Sequence, residues 1–156
     1  MSVLRILGRP SSINVRKVLC TADELALAYR HEPEWATQDA PSQSYAFLRL
    51  NPNGLVPVIE DEAGVLWQSN TICRYLVGRE GRDDLLPTEP RARAQVEMWI
   101  DWQSTELNSA WRYVFPALAR GEPAEPDPDE VAAGAARWNA AMQILDAQLA
   151  ATGAYV

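Results

Sequence analysis

The chain has 156 residues, 47% of them apolar and 22% charged, a balance that supports a packed core and excludes wholesale disorder. Its 21 acidic residues against 14 basic ones give a formal charge of −7, which would repel a phosphate backbone, so no nucleic-acid partner is expected. Two cysteines, Cys20 and Cys73, form neither a disulfide framework nor a metal-ligand spacing. No apolar run approaches the ~18 residues that span a bilayer, so a cytoplasmic protein without metal or membrane partner is expected.

Val3 to Leu7 is a short apolar run stopped by Gly8 and Pro10, which predicts a buried first strand. Val15, Val18, Leu19, Ala22 and Leu25 follow at helical spacing, with Ser11, Ser12 and Asn14 ahead of them as candidate caps. Tyr29 to Trp35 reads as a more polar strand, 36 to 44 as loop, and Tyr45 to Leu50 as a short helix. After the turn Asn51-Pro52-Asn53-Gly54, the segments Leu55 to Glu60 and Val65 to Trp67 read as a hairpin closed by Asp61-Glu62-Ala63-Gly64. Ser69 opens a helix with its stripe on Ile72, Cys73 and Leu76.

Residues 81 to 89 carry no periodicity and predict a linker, with Pro90 starting a helix. Apolar residues from Val96 to Leu118 keep helical spacing, as do Val131, Ala135, Trp138, Met142, Leu145 and Leu149; the acidic, Pro-rich stretch from Arg120 to Pro128 between them predicts a loop. The order of elements predicts an α/β thioredoxin-like domain over 1–80 (βαβαββα, a mixed four-stranded sheet). A linker over 81–89 and an all-α domain over 90–156 follow.

A thiol–disulfide oxidoreductase would carry Cys-Pro-x-Cys at the mouth of the first helix, where this chain reads Arg9-Pro10-Ser11-Ser12. If the domain handles sulfur, the sulfur must arrive on a ligand. A serine hydroxyl there can cap the helix while donating its proton to a bound thiolate, and the positive helix end would lower a thiol pKa from ~8.5 towards neutrality. Pro57 leaves the start of its strand without an N–H, so the backbone of Val56 can pair with an extended peptide. Gln68 and Ser69, at the start of the Ile72 helix, make a natural carboxylate site. Each of these features also has a plain structural reading as a helix cap or a strand start.

Three strings taken in order resemble the cytosolic glutathione S-transferase superfamily, in its bacterial type with a Gly-Arg-x-x-Ser-x-Asn-Val opening. They are Gly8-Arg9-Pro10-Ser11-Ser12-Ile13-Asn14-Val15, Asn51-Pro52-Asn53-Gly54-Leu55-Val56-Pro57-Val58, and Trp67-Gln68-Ser69-Asn70-Thr71-Ile72. The resemblance implies that glutathione is the co-substrate and is conjugated to a small hydrophobic electrophile by a homodimer active in detoxification. It puts Ser12 at the catalytic-serine position of plant phi-class enzymes, Val56-Pro57 at the cis-proline step, and Gln68-Ser69 at the γ-glutamyl end. Arg9 stands where other classes have serine or cysteine, which leaves the group that meets the thiolate open between Ser12, Ser11 and Asn14. Leu55 replaces a polar contact of many relatives. The resemblance also implies further helices after Val156, so the helical domain is expected to be incomplete. A glutathione-dependent disulfide reductase and a non-catalytic interaction module are the alternatives.

His31 is expected at a solvated edge rather than in acid–base work. Trp99, Trp102 and Trp111 read mainly as core, with Trp111, Arg112 and Tyr113 as possible pocket residues. Arg5, Arg9, Arg16 and Lys17 make the entrance of the first helix locally basic.

Overall fold

The computed structural model describes residues 3–35, 43–121 and 123–153. Most of the loop expected over 36–44 lies outside them. The chain divides into two compact units, Met1–Thr88 and Glu89–Val156.

In the first unit the elements are β1 (Leu4–Leu7), α1 (Ile13–Glu24), β2 (Tyr29–Glu32), α2 (Tyr45–Leu48), β3 (Val58–Asp61), β4 (Gly64–Trp67) and α3 (Ser69–Arg79). The sheet order is β2-β1-β3-β4, with β1 parallel to β2 and the other two pairs antiparallel. This is the mixed four-stranded sheet of a thioredoxin-like fold. Alternation along the strands divides the side chains between two faces. Leu4, Ile6 and Ile59 pack with Val18 and Ala22 of α1 and Ile72 and Leu76 of α3. Leu7 and Val58, on the other face, pack with Phe47 of α2.

Several boundaries differ from the sequence expectation. β3 begins at Val58 rather than Leu55, which leaves Val56 and Pro57 ahead of the strand instead of inside it. β2 stops at Glu32, and the Trp35 ring instead packs on Phe47, with centroids 5.4 Å apart. The β3–β4 hairpin closes as expected, with Asp61 Oδ1 accepting from the Ala63 N–H at 2.9 Å and Gly64 at φ +127°. His31 lies on the edge strand β2 but is half-buried rather than solvated, and its Nε2–H donates to the Gly8 carbonyl at 2.8 Å.

The Leu7 face also carries an ion network. Arg5 donates from Nε and Nη2 to the two oxygens of Glu32, both at 2.9 Å, and pairs with Glu60 through Nη1. Trp35 Nε1 adds a bond to Glu32 at 3.1 Å. The Arg5 bonds hold the buried Glu32 carboxyl below its ordinary value, against the opposing effect of burial. A carboxylate depressed in the folded state contributes stability above its unfolded pKa and loses it as pH falls through the folded one. Arg5→Met is therefore expected to cost about 1–3 kcal/mol at pH 7. It should also flatten the stability loss below about pH 4.5, as read by urea unfolding across pH.

In the second unit the described residues form α4 (Pro90–Trp102), a π-helical segment Gln103–Leu107, α5 (Asn108–Trp111), a second π-helical segment Pro116–Arg120, and α6 (Pro128–Thr152). The apolar segment expected as one helix through Leu118 is thus interrupted by both π-helical segments and by a turn at 112–113. Glu89 caps α4 by accepting from the Arg91 and Ala92 N–H groups, and Pro90 needs no acceptor at the first position. Asp127 does the same for α6 ahead of Pro128, so Pro128 opens the helix instead of ending the loop. Gly134 of α6 makes a close approach to α5 and the residues just after it, where an added Cβ would lie 3.5 Å from the Ala110 carbonyl oxygen and 2.3 Å from Val114 Cγ2. Trp99, Trp102 and Trp111 are half-buried and pair edge to face, Trp99 with Trp102 and Trp111 with Phe115. Among the described residues no helix is long and apolar enough to cross a membrane.

Candidate functional site

One open cleft of the first unit is lined by three separate segments. Asn14 comes from the first turn of α1; Asn51, Asn53, Leu55, Val56 and Pro57 come from the loop ahead of β3; Gln68 and Ser69 come from the start of α3. Of the residues singled out from sequence, Asn14, Val56, Pro57, Gln68 and Ser69 are brought together here. Ser11 and Ser12 are not among the lining residues, although Ser12 precedes α1 directly.

Ser12 occupies the N-cap position through its backbone, its carbonyl accepting from the Arg16 N–H at 3.0 Å and its N–H donating to the Arg9 carbonyl at 3.1 Å. Its hydroxyl does not cap, which corrects the expectation that one oxygen would do both jobs. It has no hydrogen-bond partner among the described residues. Ser12 is half-buried and Ser11 is exposed. Asn14 Oδ1 accepts from Ser69 Oγ at 3.3 Å and so ties the α1 mouth to the start of α3, while its own amide nitrogen has no partner among the described residues.

The first turn of α1 contains no acidic residue, and neither does that of α3, so neither positive helix end is neutralised from within. Gln68, at the N-cap of α3, sits at φ +76° and makes no side-chain cap, while Ser69 is only 8% exposed. The N–H groups at the start of a helix point along its axis, so this turn can receive a carboxylate. Lys17 Nζ donates to Asn70 Oδ1 at 2.6 Å between α1 and α3, and burial pushes the Lys17 pKa down.

Val56 is joined to Pro57 by a cis peptide bond, and among the described residues its backbone has no hydrogen-bond partner. Its position is set from behind by Gly8, which turns at φ +139°; a Cβ there would lie 2.8 Å from Val56 Cβ and 2.7 Å from Val15 Cγ2. Leu55 is exposed at 62%, and Ile13 at 65%, so the unit carries apolar surface beside polar groups. In the sequence Asn51 and Asn53 read as turn residues only. The asparagine spacing signals the turn, but nothing local signals that the turn walls a cleft.

The protein's own thiols do not suit nucleophilic work at this site. Cys73 accepts from Thr21 Oγ1 at 3.2 Å, and burial pushes its thiol pKa up, which lowers its thiolate fraction. Cys20 is exposed, two turns into α1. A thioredoxin-like unit whose helix mouth offers hydroxyls and an amide instead of a dithiol would have to receive on a ligand any sulfur it handles.

Comparison with known proteins agrees with that class. Residues 11–78 match the family described as glutathione S-transferase, N-terminal domain. The chain is 38% identical over 151 residues to glutathione S-transferase GstB of Escherichia coli strain K12, covering 95% of this chain and 72% of that protein. It superposes on the theta class glutathione S-transferase of Xanthomonas axonopodis pv. citri, solved with glutathione bound, with a TM-score of 0.86. The identity is 36%, over 96% of this chain and 72% of that one. A glutathione S-transferase structure from Pseudomonas fluorescens gives a TM-score of 0.82 at 30% identity, over 96% and 73%. The chain belongs to the glutathione S-transferase family, whose members are transferases.

Proposed function

We propose that the protein binds reduced glutathione in the first-unit cleft, stabilises its thiolate, and transfers it to a small hydrophobic electrophile. The observation that carries this reading is the convergence of Asn14, Val56, Pro57, Gln68 and Ser69 on one cleft from segments far apart in the chain. The cysteinyl backbone of the tripeptide pairs with Val56, and its γ-glutamyl carboxylate lies on the α3 N-terminus with Gln68 and Ser69. The sulfur then faces the α1 mouth, where Ser12, Ser11 or Asn14 donates a hydrogen bond. The unpartnered Ser12 hydroxyl favours Ser12, and the cleft lining favours Asn14 as its second.

In the reaction the bound thiol loses its proton to solvent, the thiolate attacks the electrophilic carbon, a C–S bond forms, and with an aryl halide the halide leaves with the bonding pair. The protein supplies orientation and a donor for the sulfur. The same reading divides the chain into a glutathione-binding domain over 1–80, a linker over 81–89 and the beginning of a helical domain over 90–156. It places a homodimer in the cytoplasm, with a role in detoxification. Apolar surface at Val65 and Trp67 of β4 and at Met98 of α4 supports pairing with a second copy, and the two free cysteines suit a reducing compartment.

The testing measurement is conjugation of glutathione to an aryl halide, followed beside reduction of a glutathione mixed disulfide. Saturable conjugation that dominates disulfide reduction is the expected result. Dominant reduction would favour the oxidoreductase alternative, and no binding to immobilised glutathione would favour the non-catalytic one.

A further inference from the structure

We propose that Asn51 is a positioning residue that holds the Leu55–Val56 peptide so that the Val56 N–H is set for the backbone of the bound tripeptide; this rests on the glutathione reading above. Asn51 is only 3% exposed although it belongs to the cleft wall. Its N–H donates to the Phe47 carbonyl at 2.9 Å, which fastens it to the end of α2, and its carbonyl accepts from the Gly54 N–H at 3.0 Å. Its side chain then works in two directions. Oδ1 accepts from the Asn53 N–H at 3.0 Å and from Asn53 Nδ2 at 2.9 Å, while Nδ2 donates to the Leu55 carbonyl at 2.6 Å.

An asparagine turn requires only the first of these contacts. The bond to Leu55 is additional, and it grips the peptide unit that ends in the Val56 nitrogen. That peptide is trans, because the only cis bond among the described residues is Val56-Pro57. In a planar trans peptide the C=O and N–H point to opposite sides, so an amide that fixes the Leu55 oxygen fixes the Val56 N–H as well. The Val56 N–H is the donor with no partner in the described protein, and a ligand that pairs with it meets a donor oriented in advance.

Two variants separate this role from the turn. Asn51→Asp keeps an oxygen for the Asn53 N–H and replaces the donor facing Leu55 with a second oxygen. Asn51→Ser keeps an uncharged turn-forming oxygen too short to reach the Leu55 carbonyl. The readouts are calorimetric binding of S-methylglutathione, whose thioether cannot react, and steady-state conjugation kinetics, with thermal melting to establish folding. In a folded variant Kd and the KM for glutathione are expected to rise about tenfold. The kcat should stay within about threefold, and the pH profile of kcat should not move.

Unchanged Kd in either folded variant would overturn the assignment, as would a loss falling on kcat with KM preserved. Failure of both variants to fold would also overturn it, since Asn51 would then be serving the fold. Wild-type protein that does not bind S-methylglutathione would sink the glutathione reading together with this one.

Discussion

Ser12→Ala is expected to lower kcat/KM for glutathione conjugation by about 100-fold near pH 7, on the scale of removing one donor from a developing or resident anion. The Ser12 hydroxyl at the mouth of α1 makes no capping bond and meets no partner among the described residues. Such a group has its proton free for a ligand, and removing it leaves the thiolate only the helix end for stabilisation. The pH profile supplies the sign. A donor that favours the thiolate lowers the bound thiol pKa, so its removal should move the alkaline rise in activity upward towards the free value of ~8.5. Affinity for S-methylglutathione, which has no thiolate, should change little. Because α1 keeps its backbone N-cap, unfolding measurements should show a change below about 1 kcal/mol. If Asn14→Ala moves the profile and Ser12→Ala leaves it in place, the amide is the donor and the serine only starts a helix.

Gly8→Ala is expected to be the most disruptive single methyl in the first unit, costing about 2–5 kcal/mol of the marginal stability of a small domain and weakening glutathione binding with it. Two effects add here. At φ +139° an L side chain is strained whatever the space around it, and the new Cβ would stand 2.7 Å from Val15 and 2.8 Å from Val56. Neither neighbour can move freely: Val15 is fully buried in α1, and Val56 leads directly into β3. Relief by displacing Val56 would move the backbone proposed to pair with the ligand. Urea unfolding and S-methylglutathione binding on the same preparation read both effects. A variant with unchanged midpoint and affinity would refute the close-packing argument. A double variant with Val15→Ala should recover part of the stability by opening space on the helix side, while the backbone strain at Gly8 remains.

The legible part of the fold was local. The apolar run of β1 stopped by Gly8, the stripe on Val15, Val18 and Ala22, the Asp61–Gly64 turn and the Pro90 helix start all act within a few residues of where they appear. Each predicts its element correctly. The misplaced boundaries share a cause. Leu55 and Val56 look like strand residues by composition, yet Asn51 holds the Leu55 carbonyl in a loop bond, and pairing with β1 begins only at Val58. The segment from Val96 to Leu118 has helical spacing, but a change from α to π hydrogen bonding adds a residue per turn without leaving a mark in apolar periodicity that a window can detect. The missed caps follow the same logic, since Asp127 and Pro128 look like the end of an acidic loop until the first turn of α6 is seen to use them.

For the site, sequence by itself determined which chemistries were available: no dithiol at the first helix, hydroxyls and an amide in its place, a proline before the third strand, and a Gln-Ser pair opening α3. Those are properties of residue type and short spacing, and they follow from what each side chain can donate, accept or forbid. Only the tertiary structure decided which of them meet. It joined Asn14 to Ser69, set Val56 against Gly8, turned Asn51 from a turn former into a wall of the cleft, and left the Ser12 hydroxyl without a cap to make. The reason is that these contacts span up to 55 residues of chain, and their geometry is set by sheet register and helix packing, which no local pattern encodes.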